Sequence, residues 1–341
     1  DHPEKNLKNV INIIGSDGKF SLLTSLKFFI EANRQTTSAY VSPSLKNLRD
    51  RFWMGKMYLT IDEIKRSIKI IEKLKVNLTI FELFTVIFII NASKQNNDYN
   101  LIEAGALFAK DSTNVFDFPK IQAVVNINKQ HLNFLKRKTL NEVIVQKVGF
   151  LSNFTKIYIG KQKKIVQKKI KSILKKNKSD LIYSNRWKLV KKNKKYFYKS
   201  NSENIYLNTK YIHSIGLLEN LCQAIKIALD LGISKKVILK TIPKIKFEAR
   251  IQYLDKGKLK KKLNKNERLL IDGCHSETSA INLVNYLKTL NVPLYGIWSM
   301  TKNKDPQNFI SKFKGLFKKI VTIPIQNEPA SLSNKLLFQI A

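Results

Sequence analysis

A short β-rich run, Val10-Ile11-Asn12-Ile13-Ile14, passes directly into Gly15-Ser16-Asp17-Gly18-Lys19-Phe20-Ser21, and helical apolar spacing follows at Leu22, Leu23, Leu26, Phe29 and Ile30. Strand, glycine loop and helix in this order make a seat for phosphate. The glycines let main-chain amides curl around phosphate oxygens, and Lys19 brings a point charge. Ser21 offers an oxygen to a magnesium ion at a helix N-terminus. Only two residues separate the glycines, fewer than in the commoner nucleotide loop. A plain strand-to-helix turn is the duller reading of the same string. The flanking strand and helix favour the phosphate seat.

The rest of the chain repeats the theme. A strand is expected at Thr37–Val41, an amphipathic helix at Ile61–Leu74 and a buried helix at Thr79–Ala92. Strands follow at Tyr99–Glu103, Ile121–Ile127 and Lys156–Ile159, with a helix at Leu140–Gly149. Strands alternating with helices predict a parallel, doubly wound α/β sheet whose ligands collect at the carboxyl ends of the strands. The loops after Ile14, Val41, Glu103 and Ile127 are therefore expected to face one site. Lys188–Ser200 reads as a polar hairpin, with a base-stacking surface as the alternative. Helices are expected at Gly216–Leu231 and Ser234–Ile242. A Lys-rich segment of about 243–266 reads as a linker, which divides the chain into domains 1–247 and 248–341. In the second domain the expected order is strand Leu269–Asp272, helix Glu277–Leu290, strand Pro293–Trp298, helix Asp305–Lys318 and strand Ile320–Ile323.

The net charge is +37, and the cations are overwhelmingly Lys, with Arg only at positions 34, 49, 51, 66, 137, 186, 250 and 268. Nucleic-acid readers lean on the forked guanidinium of Arg, and these lysines run along the whole chain. No specific nucleic-acid partner is expected, though an anionic substrate gains from the same field. Cys222 and Cys274 stand far apart without metal-type spacing, which argues against a disulfide framework. Asp1–Val10 has no signal-peptide apolar core, and Ile80–Ala92 is too short to span a bilayer. A cytoplasmic monomer without membrane partners is the expectation.

Several stretches together are specific. Gly15–Ser21 resembles the Gly-Thr-Asn-Gly-Lys-Gly-Ser loop of the folylpolyglutamate synthase and dihydrofolate synthase family, within the Mur ligase superfamily. Tyr40-Val41-Ser42-Pro43-Ser44-Leu45 resembles the family's Tyr-Thr-Ser-Pro-His-Leu, and Phe81-Glu82-Leu83 its Phe-Phe-Glu-Val helix. Ile102-Glu103-Ala104-Gly105 with Asp111-Ser112-Thr113-Asn114-Val115 resembles Leu-Glu-Val-Gly followed by Asp-Ala-Thr-Asn-Val. Gln130-His131 resembles an Asp-His pair, and Gln146-Lys147-Val148-Gly149 a Glu-Lys-Ala-Gly helix. Asp272-Gly273-Cys274-His275 and Lys302-Asn303-Lys304-Asp305 resemble Asp-Gly-Ala-His and Lys-Asp-Lys-Asp. The match runs in order through nearly the whole chain.

The resemblance implies a P-loop parallel-sheet ATPase domain followed by a smaller Rossmann-like α/β domain. It implies ATP and Mg2+ as cofactors. The implied activity is addition of L-glutamate to dihydropteroate or folate through an acyl phosphate. By resemblance the nucleotide is held by Gly15, Ser16, Asp17, Gly18, Lys19, Phe20, Ser21 and Asn220, with Arg250, Asp272 and His275 reaching it from the linker and second domain. Ser21, Glu103 and His131 would ligate magnesium. Lys19, Lys147 and His131 would serve catalysis, Lys147 as a carbamylated lysine, and Ser42 and Pro43 would line the substrate side.

Each residue also has a plainer role. Glu82 with Thr79 fits a helix capping box, Glu103 a surface carboxylate, His131 a structural histidine and Lys147 a solvated lysine. Asn220 fits a polar helix position, His275 a helix cap and Cys274 a small buried residue. The family pattern is also broken in places. Phe20 stands where the family has glycine, Ser16 and Asp17 where it has Thr and Asn, and Gln130 where it has aspartate. Ser44 replaces a histidine, Ala106–Lys110 a Gly-Gly-Arg stretch, and Ser276-Glu277 an Asn-Pro pair. The family's N-terminal helical segment is largely absent, and its C-terminal part is expected to extend beyond Ala341. The alternatives are a catalytically weakened nucleotide- or folate-binding relative and, further off, a basic nucleic-acid-binding protein.

Overall fold

The computed structural model describes residues 2–44 and 46–341; Leu45, the last residue of the Tyr40–Leu45 motif, lies outside them. In chain order the first elements are β1 (Val10–Ile14), α1 (Lys19–Ala32), β2 (Thr37–Tyr40), β3 (Phe52–Met54), α2 (Ile61–Glu72), α3 (Ile80–Ala92) and β4 (Tyr99–Glu103). Next come β5 (Ile121–Val124), α4 (Leu140–Val148), β6 (Lys156–Ile159), α5 (Lys164–Ile173), β7 (Asp180–Tyr183), β8 (Trp187–Lys192) and β9 (Lys195–Ser200). The remainder are β10 (Asn204–Tyr206), α6 (Ile215–Asp230), α7 (Lys235–Thr241), β11 (Gln252–Leu254), β12 (Leu269–Ile271), α8 (Glu277–Leu287), β13 (Tyr295–Trp298), α9 (Pro306–Ser311), β14 (Lys319–Thr322) and α10 (Asn334–Ile340).

Two compact units result. One holds the chain up to Tyr211 and Leu217–Lys246, the other Ile212–Gly216 and Phe247–Ala341. The first is built on a seven-stranded sheet of order β3-β2-β4-β1-β5-β6-β7. Its strands run parallel except β3, which pairs antiparallel with β2. With both faces covered, β1, β2, β4 and β5 are buried at every position, including the polar residues Asn12, Thr37, Ser38, Asn100, Glu103 and Gln122. One core cluster joins Val124, Ile157 and Ile159 of the sheet to Val143, Ile144 and Val148 of α4 and to Val166 and Ile170 of α5. Another joins Tyr40, Phe52 and Ile102 to Ile64 and Ile71 of α2 and to Ile87 and Phe88 of α3.

The central strand β1 lies between β4 and β5; the chain runs from β1 to β2 on the β4 side and later crosses from β4 to β5 on the other. A cleft at the carboxyl end of such a switch point is where an open α/β sheet binds ligands. The loop after β1 opens there. Helix starts around it are fixed locally: Thr79 and Glu82 cap α3 reciprocally, Glu82 accepting from the Thr79 amide and hydroxyl at 2.7 Å each. Capping is thus the role the structure gives Glu82. Helix α3 is less buried than its apolar run implies, because its first turn projects outward and leaves Ile80 70% exposed. No helix among the described residues is long and apolar enough to cross a membrane.

The Lys188–Ser200 segment forms the hairpin β8–β9, extended by β10 into a three-stranded sheet. The second unit has its own core of Leu283, Val284, Trp298, Phe309, Ile310, Phe313 and Leu337. Here β13 and β14 pair in parallel, while β12 pairs antiparallel with β11 instead of extending that ladder. Strand β11 lies inside the Lys-rich segment read as a linker; its Gln-Tyr-Leu triplet is too short to give a period. The expected 305–318 helix stops at Ser311, and turns continue to Leu316.

Candidate active site

The loop from β1 to α1 owes its path to two glycines. Gly15 has φ +146°, and a Cβ there would meet the Val125 side chain and the Asn126 carbonyl. Gly18, at φ +101°, is the residue before α1, and no side chain caps the helix. The Leu22 amide donates to the Gly18 carbonyl at 3.0 Å and starts the helical ladder. The amides of the first turn, including that of Phe20, are therefore left for an anion. Phe20 is an ordinary helical residue with no positive φ, so the glycine it replaces is not required by the backbone.

Around this turn the cationic and acidic groups converge. Lys19 Nζ lies 3.4 Å from the Gly15 carbonyl, 3.5 Å from that of Ser16 and 3.9 Å from Glu103 Oε1. Glu103 ends β4 in register with Ile13 of β1 and is 3% exposed. Its other oxygen accepts the Ser42 amide at 3.2 Å, so the cis Ser42–Pro43 segment reaches the same carboxylate. Ser21 Oγ donates to the Gly18 carbonyl and accepts from Asn220 Nδ2, both at 2.9 Å. Asn220 thus buttresses Ser21 and abuts Gly18. Its neighbours along α6 give no hint of this, since the contact joins positions far apart in the chain.

Lys147 is anything but solvated. It is 1% exposed in the last turn of α4, and Nζ donates to the carbonyls of Gly15 at 2.8 Å and Ala106 at 2.6 Å. Burial drives its pKa well below the ordinary 10.5, and the nearby charge of Lys19 adds to the shift; Asp111 and Asp17 oppose it. Asp111 is itself pushed up by burial while accepting from the Thr113 amide at 3.0 Å and hydroxyl at 2.6 Å.

The loop after β5 closes the other flank. The Ser16 amide donates to the Asn126 carbonyl at 2.8 Å. Asp17 takes Asn128 Nδ2 at 2.5 Å on one oxygen and Gln130 Nε2 at 3.0 Å on the other. His131 follows in the left-handed conformation, φ 58°, with its ring 6.2 Å from that of Phe134.

Ser21 and Glu103 fit a magnesium ion by chemistry: both offer hard oxygen, and the Ser21 hydroxyl has a second lone pair beyond the one Asn220 occupies. Among the described residues no group of three or more His, Cys, Asp and Glu side chains is placed to hold a metal. The magnesium set expected here contains only two of those types.

In the second unit, Asp272 accepts the amides of Ile251 and Cys274, each at 2.7 Å, and so ties the turn before β11 to the end of β12. Arg250 bonds the Ala249 carbonyl at 3.0 Å, and exposed His275 bonds that of Gly273 at 2.9 Å. Cys274 is half-buried, and burial pushes its thiol well above the usual value, so it is not a reactive thiolate.

No family model matches the chain. A dihydrofolate synthetase of Saccharomyces cerevisiae is 22% identical over 316 residues, covering 89% of this chain and 73% of the relative. A bifunctional folylpolyglutamate synthase/dihydrofolate synthase crystallised with Mn, AMPPNP and L-glutamate superposes with a TM-score of 0.86 at 18% identity, over 99% of this chain and 80% of the other. The folylpolyglutamate synthase of Thermotoga maritima gives 0.83 at 20% identity, over 100% and 80%. These comparisons bear out the resemblance read from the motifs, and the chain has the α/β fold of these synthases.

Proposed function

We propose that this chain is an ATP-dependent ligase that joins L-glutamate to the carboxylate of dihydropteroate, of folates, or of both. The observation that carries the reading is the cluster at the end of β1. Gly15, Lys19, Glu103 and Lys147 converge there on an uncapped helix start. The relatives add the substrate class: one is named for dihydrofolate synthesis, and another was crystallised with an ATP analogue and L-glutamate.

The chemistry asks mainly for charge stabilisation. A pterin-linked carboxylate oxygen attacks the γ-phosphorus, and the bond to the β,γ-bridging oxygen breaks to release ADP. The glutamate amine then attacks the acyl carbon, loses a proton, and the C–O bond to phosphate breaks. Magnesium, held by Ser21 and Glu103 with His131 as a third ligand, would neutralise phosphate charge. Lys19 would supply positive charge to the phosphates, and the α1 amides would hold the phosphate chain. Lys147 fixes the Gly15 carbonyl and the loop after β4. Its lowered pKa favours the neutral amine, the form that adds CO2, which suits the carbamylated role.

The departures at Phe20 and Asp17 leave those amides in place, which favours a working ligase over a weakened relative. Two separated free cysteines support a reducing, cytoplasmic setting, and the diffuse, Lys-dominated charge supports the absence of a specific nucleic-acid partner. Phosphate release measured with ATP, Mg2+, glutamate and either dihydropteroate or folate tests the proposal. Release must need all components; release independent of the pterin and of glutamate marks a plain ATPase and rejects it.

A further inference from the structure

We propose that Asn128 and Gln130 are positioning residues that hold the Asp17 carboxylate on the loop after β5 and keep its charge out of the phosphate seat. This rests on reading the Gly15–Ser21 loop as an ATP site. A carboxylate between the two glycines of such a loop opposes the phosphates it must receive, and in a partly buried site the repulsion is only weakly screened. Both Asp17 oxygens are instead engaged by neutral amides, Asn128 at 2.5 Å and Gln130 at 3.0 Å. The main chain holds the same geometry. Ser16 Oγ donates to the Asn128 carbonyl at 3.2 Å and accepts the Asn128 amide at 3.1 Å, and Asp17 bridges Asn126 in antiparallel fashion.

The pairing also joins two departures into one. At the positions of Asp17 and Gln130 the resembled motifs carry an amide and a carboxylate, in that order. Here the order is reversed, and the two side chains touch. One carboxylate and one amide remain, exchanged between loops, and here the amide donates to the carboxylate. A carboxylate at 17 with the motif's carboxylate kept at 130 would set two like charges against each other; with Gln130 the pair is complementary.

A double-mutant cycle tests this on the intact chain. Gln130→Glu sets two carboxylates against each other and frees Asp17 to face the phosphates. Calorimetry should show Mg-ATP binding weakened by about tenfold or more, a loss that largely persists as salt is raised. Adenosine binding should change by less than about twofold, because the repulsion acts on phosphate. Adding Asp17→Asn should restore Mg-ATP affinity to within about threefold of the parent protein. The thermal midpoint of the nucleotide-free protein should fall and recover in the same order. Gln130→Ala, which adds no second charge, should give a smaller loss in the same direction. Equal Mg-ATP affinity in Gln130→Glu, an equal loss for adenosine, or no recovery with Asp17→Asn overturns the inference. A parent protein that binds no Mg-ATP rejects the ATP site itself. The nucleotide-free thermal cycle still decides whether the Asp17–Gln130 pair is coupled.

Discussion

Lys147 Nζ donates to the Gly15 carbonyl at 2.8 Å, joining the end of α4 to the first residue of the loop between β1 and α1 across 132 positions of sequence. A second bond to the Ala106 carbonyl at 2.6 Å makes the amine a strut between the loops after β1 and β4. Lysine that far from water is costly unless it sheds its proton more readily than a solvated one, and burial lowers the pKa of Lys147 in that direction.

Its pH signature follows. The folded pKa is depressed below 10.5, so the native state binds fewer protons than the unfolded chain between the lowered value and 10.5. Lys147 therefore contributes stability that is present above the unfolded value and lost as pH falls through the folded one. Denaturant titrations of the parent protein and Lys147→Met should diverge with rising pH in that window, by up to about 1.4 kcal/mol per pH unit. Parallel curves contradict the neutral strut. The same variant should lose at least about a hundredfold in turnover, since the strut and any carbamate go together.

Gly18→Ala places a Cβ against the Asn220 amide at a residue with φ +101°. Left-handed strain costs about 1 kcal/mol, and moving Asn220 breaks its bond to Ser21. Mg-ATP affinity should fall about tenfold. Gly232→Ala is the control: φ +84°, with nothing within 4 Å, so strain without a clash. If both variants bind Mg-ATP alike, the Gly18–Asn220–Ser21 arrangement is not part of the seat.

Glu103→Gln keeps the acceptor for the Ser42 amide and removes the charge beside Lys19. Turnover should drop by about two orders of magnitude, with half-saturation moved to higher magnesium. A magnesium titration superimposable on that of the parent protein removes Glu103 from the metal set.

Much of this was legible in sequence because the decisive element is local. The change from apolar strand to glycine loop to 3.6-residue period marks β1, the loop and α1 within 23 residues, Val10–Ala32. Strands β3, β7 and β10 escaped because three or four residues at a sheet edge or in a hairpin show no period. Helix α5 escaped because its lysines conceal a narrow apolar stripe in which only Val166 and Ile170 are buried. The partners of the site were harder for another reason. Asn220 meets Ser21, and Gln130 meets Asp17, only through tertiary folding, and nothing local distinguishes them from other polar residues. Lys147 had the same disguise in a chain so rich in lysine. Burial, which sets it apart, is a property of the packed sheet and not of its neighbours in sequence.

The basic surface makes its own test. Binding to single-stranded oligonucleotides should be weak and should vanish near physiological salt, as nonspecific lysine attraction does. Tight binding that survives salt would revive the base-stacking reading of the β8–β9 hairpin, where Lys195 sits 5.6 Å over Tyr206 and Lys191 5.7 Å over Tyr196.

The most direct measurement is mass spectrometry of the pterin after incubation with this protein, Mg-ATP and L-glutamate. A ligase adds one glutamyl residue per ADP formed, to dihydropteroate, to folate, or to both, and Lys19→Ala abolishes the product. A pterin recovered unchanged by folded protein that binds Mg-ATP contradicts the ligase assignment and leaves a nucleotide-binding relative in its place.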